Sequence, residues 1–285
     1  VSEGGRPPIG IDACGAAAGL ARRDFYREQG HSAAIPSRGA LAALTVAGAA
    51  SGWQAALVQA RQAGGLMPLG RLLADAIHYA RGGFAVTRTQ AANTAAKRAE
   101  TQAVAGFAAT FLPGGQVPQV GDRFRLPVLA ATLERLAAAG LDDFYRGDVA
   151  RAMAHDLEQA GSPLRLADLE RHRALIVAPL EVQLKVGRAF GMPPPTQGLA
   201  SMMILGLFDR LSVRDADRFD YVHGLVEATK QAFMVRDAHV TDPAHMHVAP
   251  SSYLAPATLD RLAASIDRRR ALAWPQPASR GDTVW

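Results

Sequence analysis

The 285-residue sequence predicts an α+β fold that is rich in helix and carries a small sheet. Three observations point there. Apolar residues recur three and four apart along most of the chain, as an amphipathic helix requires. The period falls to two in the stretch from Leu175 to Met192, and three prolines, Pro193 to Pro195, close that stretch.

Taken in order, the elements follow from local chemistry. The uncharged run Gly39–Ala60 is made mostly of Ala, Gly, Ser, Thr and Gln, so its transfer into lipid gains almost nothing; it predicts a buried helix entered through a Gly-rich turn. "SGWQAALVQARQAG" and "LGRLLADAIHYARGG" predict two helices that each close on glycine. The stretch "RLPVLAATLERLAAAGLDDFYRGDVARAMAHDLEQAGS" gives two more, with Pro127 at the entry of the first and Gly140 at its exit. A further turn comes from "LRLADLERHRA". In "LIVAPLEVQLKVGRAFGM", alternation puts Leu180, Val182, Leu184 and Val186 on one face of a strand pair. Prolines lack N–H donors, so "PPPTQG" is expected to leave the sheet as an extended arm. Helices return in "LASMMILGLFDRL" and "DYVHGLVEATKQAFMVRDAHVTDP". No internal repeat breaks this up, and the expectation is a single domain.

Composition narrows the partners. With 49% hydrophobic residues the chain can bury a large core. Its 31 Lys+Arg against 26 Asp+Glu leave +5, and the basic residues cluster only at Arg268–Arg270, which argues against nucleic acid as a partner. Neither is a membrane partner expected. Cys14, the single cysteine, excludes an internal disulfide and a thiolate metal cluster, and it reads as a buried, inert thiol. His239, Asp242, His245 and His247 in "HVTDPAHMH" match no closed zinc spacing, so no metal and no cofactor are expected. "VSEGGRPPIG" holds no secretory core and no initial Met, which suggests a trimmed product; a cytoplasmic location is expected, and a periplasmic one stays open.

The last nine residues, "PASRGDTVW", pass from a Pro/Ser/Arg/Gly run into the opening of a strand. "DTVW" by itself reads as an ordinary strand threonine with its neighbours. The upstream motifs change this. "VAGAASGW", "LADAIHYARGGFAVT", "FYRGDVARAM", "LADLERHRA", "PPPTQG", "EATKQAFMVRDAHVTDP" and "GDTVW", in that order from about Ile11 to Trp285, resemble the large-subunit region of the gamma-glutamyltransferase family, also called gamma-glutamyltranspeptidases.

That resemblance implies a four-layer αββα N-terminal nucleophile hydrolase, of which this chain is the helix-rich large-subunit part, incomplete without its small subunit. Residues 1–282 would be the large subunit and 283–285 the start of the small one. The precursor, a zymogen, would cut itself at Asp282–Thr283 and use Thr283 as nucleophile. The resemblance further implies a partner small subunit from the same precursor, a dimer of processed heterodimers, and an oxyanion hole made by a glycine pair in the small subunit. The chemistry is physically sound: an N-terminal threonine's own α-amine, with a reference pKa near ~8, can take the hydroxyl proton, so no histidine is needed.

Departures from the family narrow the substrate. Gamma-glutamyl-transferring members carry Arg and Glu where this chain has Cys14 and Gly15, and that Arg grips the substrate's α-carboxylate. A thiol cannot replace a bidentate guanidinium. Val284 replaces the family's second threonine. Both changes, with "IPSRGALAALTVAGAASGW" and its Ala47, resemble the acylase-like and oxamate amidohydrolase branch. The expected activity is therefore hydrolysis of a small amide such as oxamate. The alternatives are a gamma-glutamyl hydrolase or transferase acting on glutathione, and an inactive homologue acting as a binding protein. Arg38 is a candidate cation for a small anionic substrate, although a loop arginine is more often simply solvated. Cys14, Thr196, Gln197 and Gly198 are further candidate substrate contacts, the last three because the family's equivalent arm approaches the active site. Arg236 and Asp237 read as a helix-end ion pair.

Overall fold

A computed structural model describes residues 7–274. The first half of the chain runs β1 (Gly10–Asp12), α1 (Arg23–Glu28), α2 (Ala49–Gln62), α3 (Leu69–Gly82), β2 (Phe84–Ala85), α4 (Arg88–Thr101) and α5 (Phe107–Phe111). Next come β3 (Arg123–Phe124), α6 (Pro127–Ala139), α7 (Asp143–Arg146), α8 (Asp148–Gln159) and α9 (Leu166–Arg171). The rest comprises β4 (Leu175–Val177), β5 (Leu180–Leu184), β6 (Gly187–Gly191), α10 (Gly198–Leu211), α11 (Phe219–His239) and α12 (Pro256–Ala264). This is the α+β, helix-rich chain expected, with its strands confined to three two-stranded sheets among the described residues. None of the described helices is long and apolar enough to cross a membrane.

Contacts divide the chain into two compact units, residues 13–175 and residues 7–12 with 176–274. In the first, α3 packs on α6 through Leu73, Leu133 and Leu136. Pro127 opens α6, where its missing N–H costs nothing, and Gly140 closes it at φ +94°, which a side chain would resist. A second apolar cluster gathers Val46, Ala50, Tyr145, Ala154 and Leu169.

Two expectations need correcting here. The helix predicted after Gly140 is broken at Gly147, because the Asp143 carboxylate accepts the N–H groups of Asp148 and Val149 (3.2 Å each) and caps a new helix, α8. The run Gly39–Ala60 is not one buried helix either. Its first part runs alongside residues 16–18, with Ala18 N donating to Leu44 O (2.8 Å) and Val46 N to Ala16 O (3.1 Å); only from Ala49 does it turn helical, and Trp53 remains 49% exposed. Small residues permit that close approach. Helix α4 went unpredicted because it buries no residue and so shows no apolar period; Thr87 starts it by accepting the Gln90 N–H at 3.1 Å.

In the second unit β5 and β6 form an antiparallel hairpin in which Leu180 faces Gly191 and Leu184 faces Gly187. Leu180 and Val182 are buried with Met203 and Leu207 of α10, while Val186 is 94% exposed in the hairpin loop. The predicted alternation therefore holds to Leu184 and fails at Val186, where the chain reverses. β4 pairs with β1 rather than joining the hairpin. α10, α11 and α12 complete this core around Leu199, Ala228 and Leu259.

Candidate functional site

The segment after β6 is a tight turn rather than the extended arm expected. Thr196 organises it: its hydroxyl lies 3.1 Å from Met192 O and 3.0 Å from Pro193 O and accepts the Gly198 N–H at 3.1 Å. Gly198 then passes so close to Met192 that a Cβ would stand 2.0 Å from the Met192 carbonyl oxygen. With that contact available, the chain folds back instead of extending. Gln197 precedes α10 as its N-cap residue, and its Oε1 is shielded from solvent with no hydrogen-bond donor among the described residues. Thr196, Gln197 and Gly198 are thus one structural group at the start of α10.

Cys14 and Arg38 belong to the other unit. Cys14 is exposed, which corrects the expectation of a buried thiol. Its neighbour explains this: a Cβ on Gly15 would stand 1.7 Å from Val46 O, and one on Gly48 would stand 1.6 Å from Ala13 O. The backbones touch on that side, leaving no interior space for a side chain. Position 15 cannot hold a side chain in this conformation. Arg38 is half exposed, donates to Ser37 O at 2.8 Å and pairs with Glu100 at 3.3 Å. Hydrogen bonding from Lys97, with help from Arg38, holds the Glu100 carboxyl below its ordinary range.

A buried polar link that sequence reasoning missed joins Tyr145, Ala47, Ser51 and Ala174. Tyr145 is fully buried, donates to Ala47 O (2.8 Å) and accepts from Ser51 N (3.0 Å), and burial pushes its hydroxyl pKa up. The Ser51 hydroxyl accepts the Ala174 N–H at 2.7 Å. These residues sit inside "FYRGDVARAM", "VAGAASGW" and "LADLERHRA", so their motifs were visible although their pairing was not.

One further group matches its sequence reading. Arg236 and Asp237 make a 2.7 Å ion pair near the end of α11, with the guanidinium over the Phe233 ring. Among the described residues no three His, Cys, Asp or Glu side chains are gathered to hold a metal ion; His239 stacks on Tyr253, and Asp242 caps a short turn through Ala244 N. Asp282 and Thr283 lie outside the described residues.

A family model described as gamma-glutamyltranspeptidase matches residues 4–285. The chain belongs to the gamma-glutamyltranspeptidase family. It is 49% identical over 279 residues to the oxamate amidohydrolase proenzyme of Klebsiella pneumoniae subsp. pneumoniae, covering 98% of this chain and 52% of that protein. Cephalosporin acylase from Bacillus halodurans superposes with a TM-score of 0.81 at 28% identity, over 91% of this chain and 48% of that one. Gamma-glutamyltranspeptidase from Pseudomonas nitroreducens superposes with a TM-score of 0.79 at 27% identity, over 92% and 78% respectively. The chain spans about half the length of the curated relatives it matches. Within the gamma-glutamyltranspeptidase family it thus resembles an amidohydrolase, an acylase and a transpeptidase over most of its length.

Proposed function

We propose that this chain is the large-subunit part of an amide hydrolase that cleaves itself before Thr283 and then uses Thr283 against a small amide such as oxamate. The observation that carries the reading is Cys14–Gly15, standing where gamma-glutamyl-transferring relatives hold Arg and Glu. The 1.7 Å limit at Gly15 keeps any side chain out of that position. The high identity to the oxamate amidohydrolase proenzyme supports the same substrate class. A gamma-glutamyl head needs its α-carboxylate gripped by a fork of N–H donors, and neither a thiol nor a glycine provides one.

Self-cleavage would begin with the Thr283 hydroxyl attacking the Asp282 carbonyl carbon. The C–N bond breaks, the hydroxyl proton passes to the departing nitrogen, and an ester remains for water to open. Two subunits from one precursor result, and Thr283 gains a free α-amine. On oxamate, that amine takes the hydroxyl proton while the oxygen attacks the amide carbon. The proton goes to the leaving nitrogen, ammonia departs, and an oxalyl ester stays on Thr283. A water molecule deprotonated by the same amine releases oxalate. Donors preorganised for the tetrahedral oxyanion are required at both attacks.

The test is intact mass and N-terminal sequencing of the full-length precursor, wild type against Thr283→Ala, followed by assays for ammonia from oxamate and glutamate from glutathione. The reading expects a fragment beginning at Thr283 in wild type alone, and ammonia from oxamate. A precursor that stays whole in both would overturn self-cleavage, and glutamate release without ammonia would move the enzyme to the gamma-glutamyl class.

A further inference from the structure

Helix α11 carries a buried ion pair that the chemistry above does not use. Glu227 and Lys230 lie one turn apart with side chains 2% and 9% exposed, and Lys230 Nζ donates to Glu227 Oε1 at 2.7 Å. Both also reach the same residue outside the helix. The Leu272 N–H donates to Glu227 Oε2 at 3.1 Å, and Lys230 Nζ donates to Leu272 O at 2.7 Å. The pair therefore holds both backbone groups of a single residue. Leu272 is itself 43% exposed, so its burial is not what anchors the chain there.

The neighbouring residues form a strap tied to the same unit. His223 Nε2 bonds Asp267 O at 2.8 Å, Arg268 donates to Leu211 O, and Asp267 Oδ1 accepts the N–H groups of Arg269 and Arg270. Trp274 meets Phe233 edge to face, and its ring lies 6.0 Å from Lys230 Nζ. Desolvating two charges is expensive, and apolar residues of the same volume commonly stabilise a core as well or better. What an apolar pair could not do is hold an N–H and a C=O of an irregular segment in fixed orientation.

We propose that Glu227 and Lys230 are positioning residues for self-cleavage, clamping the chain at Leu272 so that the ten residues from there to Asp282 start from a fixed point and in a fixed direction. This rests on the self-cleavage reading above. The bond change is the one already written, with the Thr283 hydroxyl proton passing to the departing nitrogen; the clamp takes no part in it. Its effect is on geometry. If the anchor moved back to Asp267, the chain to the bond would lengthen from ten residues to fifteen, and loop-closure entropy would slow the encounter by less than about twofold. A loss of about tenfold would mark lost orientation, which governs near-attack geometry far more strongly than tether length does.

The experiment follows the first-order release of the Thr283 fragment from full-length precursor by intact mass, with Tm measured on each variant. Lys230→Met removes the donor to Leu272 O. Leu272→Pro removes the N–H that Glu227 holds, at an exposed site away from the core, so it remains informative should Lys230→Met fail to fold. Leu272→Ala, which keeps both backbone groups, is the side-chain control. The expected result is cleavage slowed about tenfold or more in Leu272→Pro and in folded Lys230→Met, with Leu272→Ala within twofold of wild type and Lys230→Arg recovering most of the rate. A merely structural pair would lower Tm and leave the rate of the folded precursor unchanged. Leu272→Pro cleaving within about twofold of wild type overturns the inference alone; a wild type that does not cleave overturns the self-cleavage reading and the inference with it.

Discussion

Ser51 and Tyr145 are 94 residues apart in the chain, yet the Ser51 N–H donates to the Tyr145 hydroxyl oxygen at 3.0 Å in the buried interior of residues 13–175. The same hydroxyl donates to Ala47 O, so one phenol satisfies a donor in the first turn of α2 and an acceptor just before it. Tyr145→Phe keeps the ring and strands both groups. A buried polar group left unpaired costs about 1–3 kcal/mol, and urea unfolding should show a loss of at least that size with an unchanged slope.

Gly198→Ala should be more damaging than its size suggests. The added carbon would meet the Met192 carbonyl oxygen at 2.0 Å, and backbone cannot move aside as a flexible side chain can. Opening the turn would also separate Thr196 from the Gly198 N–H. We expect a loss of about 3 kcal/mol or more in chemical denaturation.

Asp143 makes stability depend on acid. Its hydrogen bonds from Arg135 are the largest cause holding its carboxyl below the ordinary range, with the Val149 and Asp148 N–H groups adding to them. A carboxyl depressed in the folded state contributes stability that is complete above the unfolded value, near ~4, and is lost as pH falls through the folded one. Stability should hold down to about pH 5 and decline below it, and Asp143→Asn should flatten that decline. The check is Tm from about pH 7 to about pH 3 for both proteins.

Cys14 is exposed, so a thiol reagent should label one cysteine per chain in the folded protein without denaturant. Cys14→Ser should alter stability by less than about 0.5 kcal/mol. A thiol that reacts only after unfolding would contradict the exposed position.

Much of the fold was legible because helices announce themselves locally. The apolar spacing of α2, α3, α6, α10 and α11 survives in the structure with only small shifts at their ends, and Pro127 and Gly140 bracket α6 as their backbone preferences require. Helix α4 was silent because it buries nothing. The break at Gly147 was missed because it depends on where one carboxylate, Asp143, finds its donors.

For the candidate site the division is sharper. The ordered motifs pointed to the family, as the match over residues 4–285 bears out, and it was the resemblance they carry that singled out Cys14, Gly15 and Thr283. Tertiary structure decided that Gly15 has no room for a side chain, that "PPPTQG" is a turn held by Thr196, and that Glu227 and Lys230 converge on Leu272. The reason is physical. Periodicity and capping act over three or four residues and can be read along the chain, whereas a close backbone approach or a buried hydrogen bond joins residues whose separation in sequence carries no trace of the contact.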